Sequence, residues 1–148
     1  MSSLTLTPYA QFAVLLPALA FAAALDWRSR RVPNALVAPL ALAGFAAQGL
    51  ELGLRGLGFA LGGALLGAAC TLPFYLLRGM AAGDVKLMAA TGAWFAPALA
   101  PWVFAFSFLI GGALGVAMTF AGRRRHGVPY APAIALGTVA ALLLIHLH

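Results

Sequence analysis

"RGMAAGDVKLMAATGAW", residues 78–94, sets an aspartate and a lysine, Asp84 and Lys86, at the mouth of an apolar segment in a chain dominated by alanine, leucine and glycine. Only three acidic residues are present in all, Asp26, Glu51 and Asp84. Of the 148 residues, 64% are hydrophobic and 8% charged, whereas a soluble domain carries roughly 25% charged residues. A water-soluble fold of this length has too little interior to hide so much apolar surface, so the solvent must be lipid. The length itself is that of one domain, 1–148.

Working outward from this stretch, residues 9–25, 32–50, 56–77, 102–122 and 128–145 each lack Asp, Glu, Lys and Arg. Each is close to the ~17–25 residues that cross a bilayer as a helix. The sixth run, 87–100, has 14 residues and covers only about 21 Å at about 1.5 Å per residue. A full span therefore has to start near Asp84, which places Asp84 and Lys86 at or inside the membrane boundary. The first run is followed, not preceded, by its arginines, the reverse of a cleaved secretory signal, so a retained first helix is expected. The fold expected is all-α, a polytopic membrane protein with six transmembrane helices.

With six helices the loops alternate sides. Arg28, Arg30, Arg31, Arg78, Lys86, Arg123, Arg124 and Arg125 fall on one face; Arg55, beside Glu51, falls on the other, and the fourth loop, "PALAP", is uncharged. Eight of the nine basic residues thus share a side that the positive-inside rule makes cytoplasmic, with both termini outside. The same partition explains the net charge of +6 as a topology signal, and nucleic acid is not an expected partner. Asp26, at the end of the first helix, and Asp84, at the opening of the fourth, then lie in one layer on the cytoplasmic side.

Ionisable groups in membrane segments usually face a bundle interior or a watery cavity. Two carboxyls within hydrogen-bonding reach share a proton, because both do not ionise easily. The charged member takes a proton from water and the neutral one polarises a peptide carbonyl, which is acid–base peptide hydrolysis without metal or covalent intermediate. The plainer alternative has Asp26 paired with Arg28 or Arg30 and Asp84 capping a helix, since Gly-Asp before "VKLMAA" is a good helix start. Capping and catalysis are compatible for Asp84.

Other chemistries find less support. No His-Glu-x-x-His occurs, and His126, His146 and His148 lack zinc spacing. The single Cys70 excludes an internal disulfide framework and reads as a small core residue. Ser107 and Thr119 are expected to bond to backbone carbonyls. Gly-x-x-x-Gly spacings at Gly58/Gly62, Gly63/Gly67 and Gly111/Gly115 suit close helix contact in lipid, and Pro17, Pro39 and Pro73 lie within spans where a bundle interior tolerates them.

Three blocks carry a resemblance: "DWRSRRVPN" at 26–34, "AAGDVKLMAATGAW" at 81–94 and "VPYAPAIALG" at 128–137. In this order they resemble the type IV prepilin peptidases, in particular the short form associated with tight-adherence (Flp-type) pili. The resemblance implies an intramembrane-type aspartic protease with Asp26 and Asp84 as the catalytic pair. It further implies cleavage of a prepilin's or pseudopilin's short basic leader at the cytoplasmic face of the bacterial inner membrane, with no cofactor or metal. The partners it implies are the prepilin substrate helix and the lipid bilayer. Ala81 departs from the family pattern, standing where a glycine is usual, so a methyl group sits just before the Asp84 block. Many full-length family members carry a methyltransferase domain between the first two helices, often with paired cysteines; here that loop, 26–34, is too short and no second cysteine exists, so no methyltransferase activity is expected. The alternative from another class is a small proton-linked transporter or assembly subunit using the two aspartates as a relay. It would need polar residues continuing toward the outer face, and the chain offers almost none.

Overall fold

In the computed structural model the described residues form six helices in succession. The structure describes residues 7–29, 32–78, 80–95, 100–122 and 130–147. Arg30, Arg31, Arg123–Arg125, His126 and His148 lie outside the described residues, as does the start of the third block, 128–129. The helices are α1 (Thr7–Ser29), α2 (Asn34–Leu52), α3 (Leu54–Leu76), α4 (Ala82–Gly92), α5 (Ala100–Phe120) and α6 (Tyr130–Leu147). Among the described residues α1, α2, α3 and α5 are long and apolar enough to cross a membrane. The protein is an all-α polytopic membrane protein.

Burial follows the lipid logic. α3 turns Gly56, Ala60, Gly63, Gly67 and Thr71 inward while Leu57, Leu61, Leu65 and Leu72 stay exposed. Lipid solvates leucine as well as a core would, so the contact face goes to residues that let backbones approach. α4 packs closely on that face. A Cβ at Gly67 would lie 2.7 Å from the Met88 carbonyl oxygen, and one at Gly63 would collide with that of Gly92. Gly58, by contrast, faces open space, so the Gly58/Gly62 spacing is not a contact there. Cys70 is exposed on α3 and not a core residue, because it falls off the 56–60–63–67–71 stripe. α2 and α3 meet through Gly53 alone, whose φ of 63° is the left-handed conformation that favours glycine. The turn is tighter than the sequence suggested, with Glu51 and Arg55 inside the flanking helices. The fourth loop is likewise trimmed, since Ala100 and Pro101 already belong to α5.

α4 has 11 residues, about 16 Å at about 1.5 Å per residue, or half the ~30 Å hydrocarbon thickness. Its continuation is non-helical but buried in protein: Ala93, Trp94 and Phe95 are 0%, 4% and 2% exposed. Backbone outside a helix is tolerated at membrane depth only under such cover. Two bonds to α2 satisfy polar groups here: the Trp94 indole N–H donates to the Leu40 carbonyl (3.0 Å) and Gln48 Nε2 donates to the Trp94 carbonyl (3.0 Å). Elsewhere the buried hydroxyls of Thr71, Thr91, Ser107 and Thr138 donate to carbonyls four residues back in their own helices. Exposed Thr119 does the same.

The core joins Leu15, Leu19 and Ala22 of α1 to Val37 and Leu40 of α2, Leu87 and Met88 of α4, Val103 and Phe104 of α5, and Ile134 of α6. α6 packs against both α5 and α1. The first helix is therefore part of the bundle and contributes Leu15, Leu19 and Ala22 to its core. Pro17, Pro39 and Pro73 lie inside α1, α2 and α3 as expected.

Candidate active site

On α1 the inward residues run Leu15, Leu19, Ala22, Asp26, steps of four, three and four that keep one helical face. Asp26 thus continues the core stripe to the end of the helix, and it is 5% exposed. On α4 the run is Asp84, Leu87, Met88, Thr91, and Asp84 is 3% exposed. Helical period, not chance, turns both carboxyls inward. They line one cavity of about 420 Å³, together with Val32, Pro33, Asn34, Ala81 and Gly83.

Three helices open toward this cavity. α4 begins two residues before Asp84, and the Asp84 carboxylate accepts a hydrogen bond from the Ala81 N–H at 3.3 Å. α6 meets Asp26, whose Oδ2 accepts from the Ala131 N–H at 3.1 Å. α2 begins at Asn34, itself in the lining. The N-terminus of a helix carries roughly half a positive charge and free N–H groups. Such ends offset the burial of two carboxyls, and for Asp26 the offset is needed, since it sits in the last turn of α1 where the dipole opposes an anion. Asp84 therefore does occupy a helix start, as the capping reading had it, while facing the cavity too.

Ala81 has φ −78° and ψ 155°, extended backbone open to any residue, so its methyl in place of glycine brings no backbone strain. A Cβ at Gly83 would approach the Val32 carbonyl at 3.5 Å, ordinary contact across the cavity wall. Lys86 is exposed and donates from Nζ to Asn34 Oδ1 at 3.3 Å, tying the block at 81–94 to the block at 26–34. Sequence reading quoted Asn34 only as part of a motif and gave it no role. It also gave no partner to the Ala131 amide, although Ala131 lies in the third block. Neither contact has a local signature, because each joins residues distant in the chain.

Comparison with known proteins follows the same residues. A model of the type IV leader peptidase family matches residues 13–116, a span that includes Asp26 and Asp84. A prepilin leader peptidase/N-methyltransferase from Burkholderia pseudomallei (strain 1026b) is 35% identical over 141 residues, 86% of this chain and 44% of its own length. A protein of the same description from Bacillus subtilis (strain 168) is 38% identical over 87 residues, 53% of this chain and 35% of its own. The chain spans less than half the length of these curated relatives. No solved structure matches it.

Proposed function

The chain belongs to the type IV leader peptidase family, and from that premise we propose that it is a membrane aspartic endopeptidase removing the short basic leader of prepilins or pseudopilins of the Flp type. The observation that carries this reading is the convergence of Asp26 and Asp84, from the first and fourth helices, on one cavity. With one proton between them, the charged carboxylate accepts a proton from water as the water oxygen bonds to the scissile carbonyl carbon. The protonated carboxyl donates to the carbonyl oxygen. Collapse of the tetrahedral intermediate breaks the C–N bond, the leaving amine takes up the proton drawn from water, and the oxygen returns its own to the pair.

The position of the cavity suits such a substrate. Asp26 lies three residues from the end of α1 and Asp84 two from the start of α4, so the cavity sits at a membrane edge. An apolar anchor helix with a basic leader presents its scissile bond at that level. Arg28 and Lys86 at these helix ends, with Arg78 between α3 and α4, support a cytoplasmic edge by the positive-inside rule. A relay for protons is disfavoured because Leu87 and Met88, 0% and 1% exposed, follow Asp84 directly along the inward face. Incubating the purified chain with a Flp-type prepilin tests the reading: the substrate should shorten by its leader, and an unchanged substrate would reject it.

A further inference from the structure

Attack of water on a peptide carbonyl builds negative charge on the carbonyl oxygen, and preorganised hydrogen-bond donors aimed at that charge are the usual means of stabilising it. Two carboxyls sharing one proton supply a single donor. The cavity contains another group of the right chemistry. Asn34 is the first residue of α2 and lines the cavity. Its side-chain oxygen is engaged by Lys86 Nζ at 3.3 Å. An ammonium has donors only, so the amide turns its oxygen to Lys86, and its NH2, with two N–H donors, takes no part in that tie. The α2 N-terminus behind it adds positive potential of the same sense.

Resting on the peptidase reading above, we propose that Asn34 is a catalytic residue that donates from Nδ2 to the carbonyl oxygen of the scissile bond as its charge develops, and that Lys86 is a positioning residue that holds the Asn34 amide in the donating orientation. The oxygen accepts this bond while the protonated carboxyl serves the same atom, and no proton leaves Asn34. Lys86 thus acts on the reaction only through Asn34. This also gives a use to a lysine that reaches sideways to the start of another helix.

The test is steady-state cleavage of a purified Flp-type prepilin by the full chain in detergent, comparing wild type with Asn34→Ala, Asn34→Asp, Lys86→Met, Lys86→Arg, the Asn34→Ala/Lys86→Met pair, and the two aspartate-to-asparagine variants. Loss of a donor to the developing charge lowers kcat by about 10²–10³-fold and leaves KM within a few fold, since the interaction belongs to the transition state. Asn34→Asp is decisive: it keeps a partner for Lys86 but has no NH2, so it should be as impaired as Asn34→Ala. Lys86→Met should lose activity, Lys86→Arg should recover most of that loss, and the pair should be no worse than Asn34→Ala alone. If Asn34→Asp turns over at the wild-type rate while both aspartate variants are inactive, the tie is structural and this inference is overturned by itself. A raised KM with unchanged kcat in Asn34→Ala also overturns it. If the wild type does not cleave, or an aspartate variant does, the peptidase reading fails and the role of Asn34 falls with it.

Discussion

Replacing Gly63 or Gly67 by alanine should separate α3 from α4 and disturb the aspartate pair from a distance. At Gly67 the new Cβ would stand 2.7 Å from the Met88 carbonyl oxygen and 3.0 Å from its carbon, where ordinary contact begins near 3.4 Å. Backbone must therefore give by about 0.7 Å. At Gly63 the Cβ would overlap the Gly92 carbonyl oxygen and stand 2.8 Å from that of Phe95, so the required shift is larger. The atoms met are backbone and have no rotamer to change. Overpacking of this kind costs about 1–3 kcal/mol and sometimes more, while alanine gains about 1 kcal/mol in helix propensity. The net is a destabilisation of about 0–2 kcal/mol for Gly67→Ala and more for Gly63→Ala. Gly58, with nothing within 4 Å, is the matched control and should be neutral or slightly stabilised. Because Met88 is one turn beyond Asp84 on α4, a shift approaching 1 Å also moves the Asp84 carboxyl, which under the proposed function can cost about 10²-fold in rate. Unfolding in mixed detergent micelles and prepilin cleavage, run on all three variants, would give the order Gly58→Ala, Gly67→Ala, Gly63→Ala in both measurements. Equal stability of Gly63→Ala and Gly58→Ala would refute the packing argument.

Reporter fusions placed after Arg31, Arg78 and Arg125 should all read cytoplasmic; a periplasmic reading at any one would break the shared layer of the two aspartates. Trp94→Phe removes the indole donor to the Leu40 carbonyl and should lower stability by about 1 kcal/mol in the same micelle assay, whereas Trp102→Phe, at a 54% exposed site, should change little. α1 ends at Ser29 and α2 starts at Asn34, which leaves no room between them for a cofactor-binding domain; incubation with prepilin and labelled S-adenosylmethionine should leave the cleaved pilin unlabelled, and label on it would show a second activity.

The helix count and the shared level of the aspartates were legible because lipid demands long uncharged runs and because each charge is confined to a run's end. The inward aim of the aspartates was not, because Leu15, Leu19 and Ala22 stand in α1 among equally apolar residues such as Val14 and Phe21 that stay exposed, so composition marks no inner face. Little was visible, too, where small residues decide. Gly58/Gly62 and Gly63/Gly67 look alike in sequence, and only the rotation of α3 against α4 separates lipid-facing Gly58 from the buried pair. The same rotation exposes Cys70. The tie of Lys86 to Asn34 and the Ala131 amide on Asp26 depend on how α1, α2, α4 and α6 meet, which no local pattern records.

Cleavage by Asp26→Asn and Asp84→Asn tests the central claim most directly. Asparagine keeps an oxygen that can accept from the Ala131 and Ala81 amides, so insertion and folding should survive, with at most about 1 kcal/mol lost at a helix end. Activity should fall by about 10⁴-fold or more in each variant, as expected where two groups act as a unit. Glu51→Gln, at the far end of α2, should cleave normally. Near-normal leader removal by either aspartate variant, in protein shown to be inserted and folded, would contradict the account.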